Sequence, residues 1–377
     1  SPKRLLPATY VKNAAEQKSI ADIRVHLNDM IFIINYFLMI AEGFVLKRRF
    51  LKCGKKLFVI ITFLQLAAIV SLRKKTVGID TAMYIQLLEW SKNDIEIYWI
   101  EAGSRAYIHL LGNICTTYTE YLAAWAIPTM VLFYRYIIRN SKDIYLSIYI
   151  FASLMFYFLE FSLVRQALAI GIVLQAVSLL DERKYFRYIL IILIAMSFHS
   201  SAAVFFLLLP ISFVKCKINL SLSIMIVALC GICAVFGRIL TEIGARLIGY
   251  SSYLQTEYAN AGNVLHPALF LIILMFCTIL SMGAKSTKKR KFKIEYEMLA
   301  VGVLFYWISL SVQIVNRIPY YFTGSVMTIL PNLIVEMKNR KQAKIVNICV
   351  IVFLVLYEFL MIAQSAQGIM PYQFFWE

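Results

Sequence analysis

Apolar residues in this chain come in long runs, separated by short segments where lysine and arginine gather. The runs fall near 30–46, 57–72, 121–138, 144–159, 164–180, 188–214, 218–236, 265–283, 297–314, 319–335 and 345–363. A helix needs about 20 apolar residues to cross a hydrocarbon core, with a working range of about 17–25. The pattern therefore predicts an all-α, polytopic integral membrane protein of roughly 10–12 transmembrane helices. Within 188–214 the run is broken by His199-Ser200-Ser201, which fits either one long helix or a hairpin of two short ones. The stretch 106–115 is too short to cross alone and predicts an interfacial segment, as does the mixed apolar and charged stretch Met83–Trp99. No fixed-period repeat and no Pro/Gly-rich linker divides residues 30–377. They read as a single transmembrane domain with extracytoplasmic loops near 73–120 and 237–266.

Ser1–Asp29 differs in kind: it is polar and mixed in charge, and Met30 opens directly into Ile31-Phe32-Ile33-Ile34. Met30 is one candidate for the natural start, with the preceding residues as upstream sequence; a flexible tail is the other reading.

Composition removes the soluble alternatives. Hydrophobic residues make up 61% of the 377 and charged residues 16%, where a soluble domain has about 45–50% and about 25%. The mean hydropathy is +0.73. A net charge of +17 on a soluble protein would suggest nucleic acid. Here the basic residues sit between apolar runs, as they do in cytoplasmic loops, and no nucleic-acid partner is expected. The seven cysteines include one close pair, Cys230 and Cys233, inside an apolar run, and the four histidines are scattered. Four-ligand zinc spacing, a phosphate-binding glycine loop and a nucleophile elbow are all missing, so no metal or cofactor is expected.

Charge placement orients the chain. Six basic segments (47–56, 135–142, 183–187, 215–217, 285–293 and 338–344) hold most of the 38 lysines and arginines. Placing all six in the cytoplasm requires the 188–214 run to turn back near His199. The opposite face then receives Asp80–Glu101, Arg165, His199, Arg238, the 237–266 loop with Arg246, and Arg317. Arginine is disfavoured on that side and at membrane depth, so its presence there asks for a functional reason.

Arg165, in Leu163-Val164-Arg165-Gln166, stands at a helix start, where its five donors can face a phosphate or snorkel to the interface. Arg317, in Asn316-Arg317-Ile318-Pro319-Tyr320-Tyr321, lies between two spans. Together they point to a shared anionic ligand. His199 suits either packing or general-base work. Asp80 suits proton acceptance from a sugar hydroxyl, or a helix N-cap. Glu101, taken alone, reads as a solvated loop charge. The tyrosines and asparagines of the outer loop (Tyr250, Tyr253, Tyr258, Asn260, Asn263) suit carbohydrate contact or any exposed loop.

Several pieces in order carry a resemblance: Gly78-Ile79-Asp80 with Tyr84, Glu101-Ala102-Gly103, Val164-Arg165-Gln166-Ala167-Leu168-Ala169, Phe198-His199-Ser200-Ser201-Ala202, and Arg317 with Tyr320-Tyr321. From Met30 to Pro371-Tyr372 the chain resembles the EpsG family, Wzy-like polymerases of bacterial exopolysaccharide and capsule. The resemblance implies a metal-independent glycosyltransferase of GT-C-like architecture in the bacterial cytoplasmic membrane, with its active site on the extracytoplasmic side. It would move a growing glycan from undecaprenyl pyrophosphate to the non-reducing end of an acceptor repeat. Its partners would be the undecaprenyl-pyrophosphate-linked oligosaccharide, membrane lipid, and assembly proteins such as a flippase and a chain-length regulator. Arg165 and Arg317 would hold the pyrophosphate, His199 would assist there or position Arg165, and Asp80 would be the base. Tyr84, Glu101, Gln166, Tyr320 and Tyr321 would bind substrate. A lipid-linked oligosaccharide flippase or a single-transfer glycan ligase would use similar outward arginines. A flippase is further expected to show repeated halves, which are not visible here.

Overall fold

The computed structural model describes residues 30–47, 53–214, 217–248, 262–285 and 289–377. The polar segment 1–29 and the outer-loop residues Tyr250, Tyr253, Tyr258 and Asn260 lie outside the described residues. The structure is 78% helix, with no strand among the described residues.

Each apolar run is helical. In chain order the helices are α1 (Ile31–Leu46), α2 (Gly54–Ser71), α3 (Thr81–Lys92), α4 (Ala102–Ile114), α5 (Tyr118–Asn140), α6 (Ile144–Ser153), α7 (Val164–Asp181), α8 (Tyr185–Phe198), α9 (Leu220–Ile248), α10 (Leu265–Ser281), α11 (Arg290–Ile308), α12 (Val326–Glu336) and α13 (Arg340–Ala363). Five of them, α2, α5, α7, α9 and α13, are long and apolar enough to cross a membrane outright. A sixth crossing forms if Gln313–Thr323 joins α12 across a 47° bend. Shorter apolar helices, α1, α6, α8, α10 and Ser200–Ile211, complete a multi-pass membrane protein.

Three elements depart from the simple pattern. The run at 144–159 is helical only to Ser153, after which Met155 takes a left-handed φ of 70°. Apolarity continues unbroken through this turn, so the hydrophobic pattern carries no sign of it. The run at 188–214 turns back at His199: the Tyr188 hydroxyl donates to the Phe205 carbonyl (2.5 Å), and the two rings stack at 6.1 Å. In one straight helix those residues would stand about 25 Å apart. The interfacial stretch expected over Met83–Trp99 is helical only to Lys92. The chain then turns at Asp94 (φ 54°) and resumes as α4.

The molecule has two chemically distinct ends. At one, the basic segments meet. Lys47 pairs with Asp143 (2.7 Å), Lys142 with Glu336, and Lys291 with the Asn140 amide oxygen (2.6 Å). Lys293 reaches the Val214 carbonyl, and Arg290 approaches the Tyr185 hydroxyl (3.5 Å). The first turn of α7 lies at the other end, about 25 Å away along the helix. There α3 and α4 form a cap, in which Tyr84, Leu87, Ile108 and Leu111 pack on Tyr121 and Trp125 of α5 and Leu168 of α7. On α4 the buried residues Ser104, Ile108 and Leu111 make a single stripe, as helical periodicity requires of a half-buried helix.

The turn leading into α3 is clamped from the far end of the chain. Gly78 N–H donates to Gly368 O (2.8 Å), Ile79 N–H to Gln367 O (3.1 Å) and the Ser162 hydroxyl (2.8 Å), and Lys74 N–H to Gln373 O (2.9 Å). Beneath it the buried Arg73 donates to the Val70 carbonyl, the Glu160 carbonyl (3.3 Å) and the Thr81 hydroxyl (3.3 Å), and lies over the Phe161 ring. Backbone oxygens thus satisfy a cation that would otherwise be costly at this depth. Gly78 has a φ of 94°, and an added Cβ would collide with the Phe161 carbonyl.

Gly78→Ala is therefore expected to lower the melting temperature of the purified protein by several degrees and to reduce its activity; wild-type values for both would show the turn to be adaptable. In a background lacking native cysteines, Tyr98→Cys is expected to react with an impermeant maleimide in intact cells and Lys285→Cys only after permeabilisation.

Candidate functional site

The site is organised around Glu101, the N-cap residue of α4. Its side chain makes no capping bond. It reaches Arg165 in the first turn of α7 to form an ion pair. Its Oε1 accepts the Ser200 backbone N–H (2.9 Å) and the Ser200 hydroxyl (3.1 Å), and lies 3.4 Å from His199 Nδ1. Three elements are thereby joined: the cap, α7 and the turn after α8. The close approach of α4 to that turn is allowed by Gly103, where a Cβ would meet Ser197, and is fixed by the Ser104 hydroxyl donating to the Phe198 carbonyl (2.7 Å).

The side chains of Glu101, Arg165 and His199 are only 18%, 16% and 20% exposed. Glu101 is therefore not the solvated loop charge suggested by its sequence context. Burial by itself raises its carboxyl, but the His199 and Ser200 hydrogen bonds and the Arg165 charge outweigh it and hold the pKa down at about 2.

Asp80 occupies the N-cap position of α3 without a side-chain capping bond. It stands within electrostatic reach of both Arg317 and Arg165. Burial raises its carboxyl above the ordinary value, and the two arginines oppose that rise. Tyr84 is buried, and its hydroxyl accepts the Arg165 backbone N–H (3.3 Å). Gln166 is also buried and donates from Nε2 to the Arg317 carbonyl (2.7 Å), tying the short helical turn Gln313–Arg317 to α7. The Tyr321 hydroxyl hydrogen-bonds Ser201 (3.0 Å), and buried Tyr320 lies within electrostatic reach of Arg317. His199 also feels both arginines.

All nine residues expected from the sequence thus meet at one end of the molecule, in different situations. Asp80, Glu101, Arg165 and His199 are partly accessible, as is Arg317, whereas Tyr84, Gln166, Tyr320 and Tyr321 are buried behind them. Arg238, expected on the same face, is exposed on α9, 3.4 Å from Glu242. Ser200, Ser201 and Ser104 were not anticipated as parts of the site. The polar break in the 188–214 run is the signal that marks the first two. Among the described residues no group of three His, Cys, Asp or Glu side chains could hold a metal ion.

Fold and site define a multi-pass membrane protein that gathers two arginines, two carboxylates and a histidine opposite its basic end. The EpsG family model matches residues 56–374, which include every one of these site residues. The chain belongs to the EpsG family, a family of Wzy-like polysaccharide polymerases. No curated protein and no solved structure matches it.

The lowered Glu101 pKa has a definite pH consequence. A carboxyl whose folded value lies below its unfolded value contributes stability that is fully present above the unfolded value and is lost as pH falls through the folded one. The window runs from 4.5 down to about 2. Glu101→Gln is expected to flatten the stability–pH curve across that window, as read by thermal unfolding in detergent. An unchanged slope would mean that Glu101 is not ion-paired in solution.

Proposed function

We propose that this protein is a glycosyltransferase that polymerises undecaprenyl-pyrophosphate-linked oligosaccharide repeats for exopolysaccharide or capsule, working at the outer leaflet of the bacterial cytoplasmic membrane. The observation that carries this reading is the pair Arg165 and Arg317, both within electrostatic reach of Asp80 at the end of the molecule away from the basic segments. In the transfer, an acceptor sugar hydroxyl attacks the anomeric carbon of the donor glycan. The bond from that carbon to the phosphate oxygen breaks, and the undecaprenyl pyrophosphate departs with the bonding electrons. Arg165 and Arg317 neutralise the charge that grows on the departing phosphate, the kind of preorganised stabilisation that dominates many enzymatic rate enhancements. Asp80 takes the proton of the acceptor hydroxyl, a role to which a raised carboxyl is suited.

Glu101 is then a positioning residue rather than a substrate contact. Its charge is already committed to Arg165, Ser200 and His199, so it aims the guanidinium without repelling phosphate. Gln166 does the same for Arg317 through the backbone. The outer-leaflet assignment rests on the separation of this site from the clustered basic segments. On the cap an open cavity of about 720 Å³, lined by Ser91, Asp94, Ile95, Glu96, Ile97, Tyr98, Arg105, Ile108 and His109, offers a mixed polar and apolar surface for the glycan.

Arg317→Ala is expected to cut polymer formation by about 100-fold or more at normal membrane abundance. Arg165→Lys keeps a charge beside Glu101 but loses the planar fork, and is expected to fold and to transfer poorly. Polymer of wild-type yield from both variants would remove the phosphate-clamp role. The reading as a whole is tested by deleting the gene in the native host and sizing the glycans. The expected result is collapse of the ladder to single repeats at the outer leaflet. Repeats held at the inner leaflet would identify a flippase instead, and long lipid-linked chains that never reach an acceptor would identify a ligase.

A further inference from the structure

The transfer chemistry leaves His199 without a task. It stands in the turn between α8 and the short helical stretch Ser200–Leu207. Its Nδ1 lies 3.4 Å from Glu101 Oε1 and 3.5 Å from the Ser201 hydroxyl, which also hydrogen-bonds Tyr321 (3.0 Å). The other ring nitrogen is placed differently. Among the described residues Nε2 has no hydrogen-bond partner, and it is not closed off from solvent as His266 Nε2 is. It opens at the end of the molecule where Asp80, Arg165 and Arg317 are partly accessible too.

Which nitrogen carries the proton follows from charge. Glu101 is ionised, with its pKa held at about 2, and its oxygens can only accept. A lone pair on Nδ1 would face that charge, whereas an N–H there is attracted to it, so the neutral ring carries its hydrogen on Nδ1. Burial, with the charges of Arg165 and Arg317, holds the imidazole below its ordinary value against the pull of Glu101, which disfavours a second proton. Nε2 is left with a lone pair that can only accept. Of the groups on a lipid-linked repeat, ionised pyrophosphate has no hydrogen to offer, while a sugar hydroxyl or acylamino N–H does. Position selects among the sugars. Glu101 holds Arg165 through Oε2 and His199 through Oε1, so the two residues stand one carboxylate apart. A phosphate on Arg165 therefore brings the sugar bonded to it alongside His199.

We infer that His199 Nε2 accepts a hydrogen bond from the donor sugar, at the hydroxyl or acylamino group nearest the phosphate linkage, and does not touch the pyrophosphate. The inference rests on the polymerase reading above and adds to it how the first sugar of the donor is recognised. It replaces the phosphate-assisting role that the family resemblance implied for His199. Glu101 gains a second duty, because it fixes the tautomer of His199 as well as aiming Arg165.

The test compares two ligands on the full chain in lipid nanodiscs: undecaprenyl pyrophosphate alone, and the same lipid carrying the host's repeat. Asparagine offers an amide N–H where Nδ1–H lies and has nothing at the place of Nε2. His199→Asn is expected to melt close to the wild-type temperature and to bind the bare lipid pyrophosphate as the wild type does. It is expected to bind the repeat-bearing lipid about tenfold more weakly. His199→Gln carries an amide oxygen near the place of Nε2 and is expected to recover part of that loss. Equal weakening towards both ligands would overturn the contact in favour of a phosphate or Arg165-positioning role. Unchanged binding of both would make His199 a packing residue. The readout is a ratio of two affinities on one preparation, so partial misfolding of a variant cancels. A chain that shows this loss of selectivity in His199→Asn, yet as wild type cannot extend lipid-linked repeats, overturns the polymerase reading and leaves the sugar contact standing.

Discussion

Taking a carboxylate out of water is unfavourable unless opposite charge and hydrogen bonds replace the lost solvation. Glu101 meets that condition with partners from two distant parts of the chain: Arg165, 64 residues on, and Ser200, 99 residues on. Each partner depends on the others. Without Arg165 the carboxylate is a half-buried uncompensated charge, and without the carboxylate Arg165 lies close to Arg317 and His199 with less to hold it. The cap, α7 and the turn at His199 are thereby fixed to one another by electrostatics as well as by packing. Asp80 and Arg317 are attached to that frame, through the backbone of α3 and through Gln166.

Much of this was readable in the chain because lipid is an exacting solvent. Apolar runs had to become helices, since no other element satisfies its backbone there apart from a closed barrel. Arg165 and Arg317 drew notice because arginine on the face without basic clusters is disfavoured. His199 drew notice because it breaks an apolar run, and the structure shows that the break is a reversal. What the pattern did not carry was anything set by tertiary contact within an all-apolar stretch. The left-handed turn at Met155 lies between phenylalanines and leucines that give no local cue. Glu101 looked like a solvated charge because its neighbours in sequence are small and polar, while its neighbours in space come from α7 and the turn after α8.

The separation of the two ends gives the molecule a simple division of labour. Lysines and arginines between helices are tied to one another's loops by Asp143, Glu336 and Asn140, which holds the helix ends at fixed spacing. The helices α5, α7 and α8 then run from that base to the site. Their lengths set the position of Arg165 and His199 relative to the base, while Asp80 and Arg317 sit on turns held by the C-terminal segment and by Gln166.

The clamp on the Gly78–Asp80 turn has an implication for biogenesis. Residues 367–373 are synthesised long after Gly78 has entered the membrane, and they follow α13 in the chain. Until α13 is inserted, the backbone donors of Lys74, Gly78 and Ile79 have no permanent acceptors from that segment, and Asp80 hangs on an unsecured turn. A partly inserted chain therefore holds the turn before Asp80 only through Ser162 and Phe161, and the last helix brings the remaining acceptors that secure it.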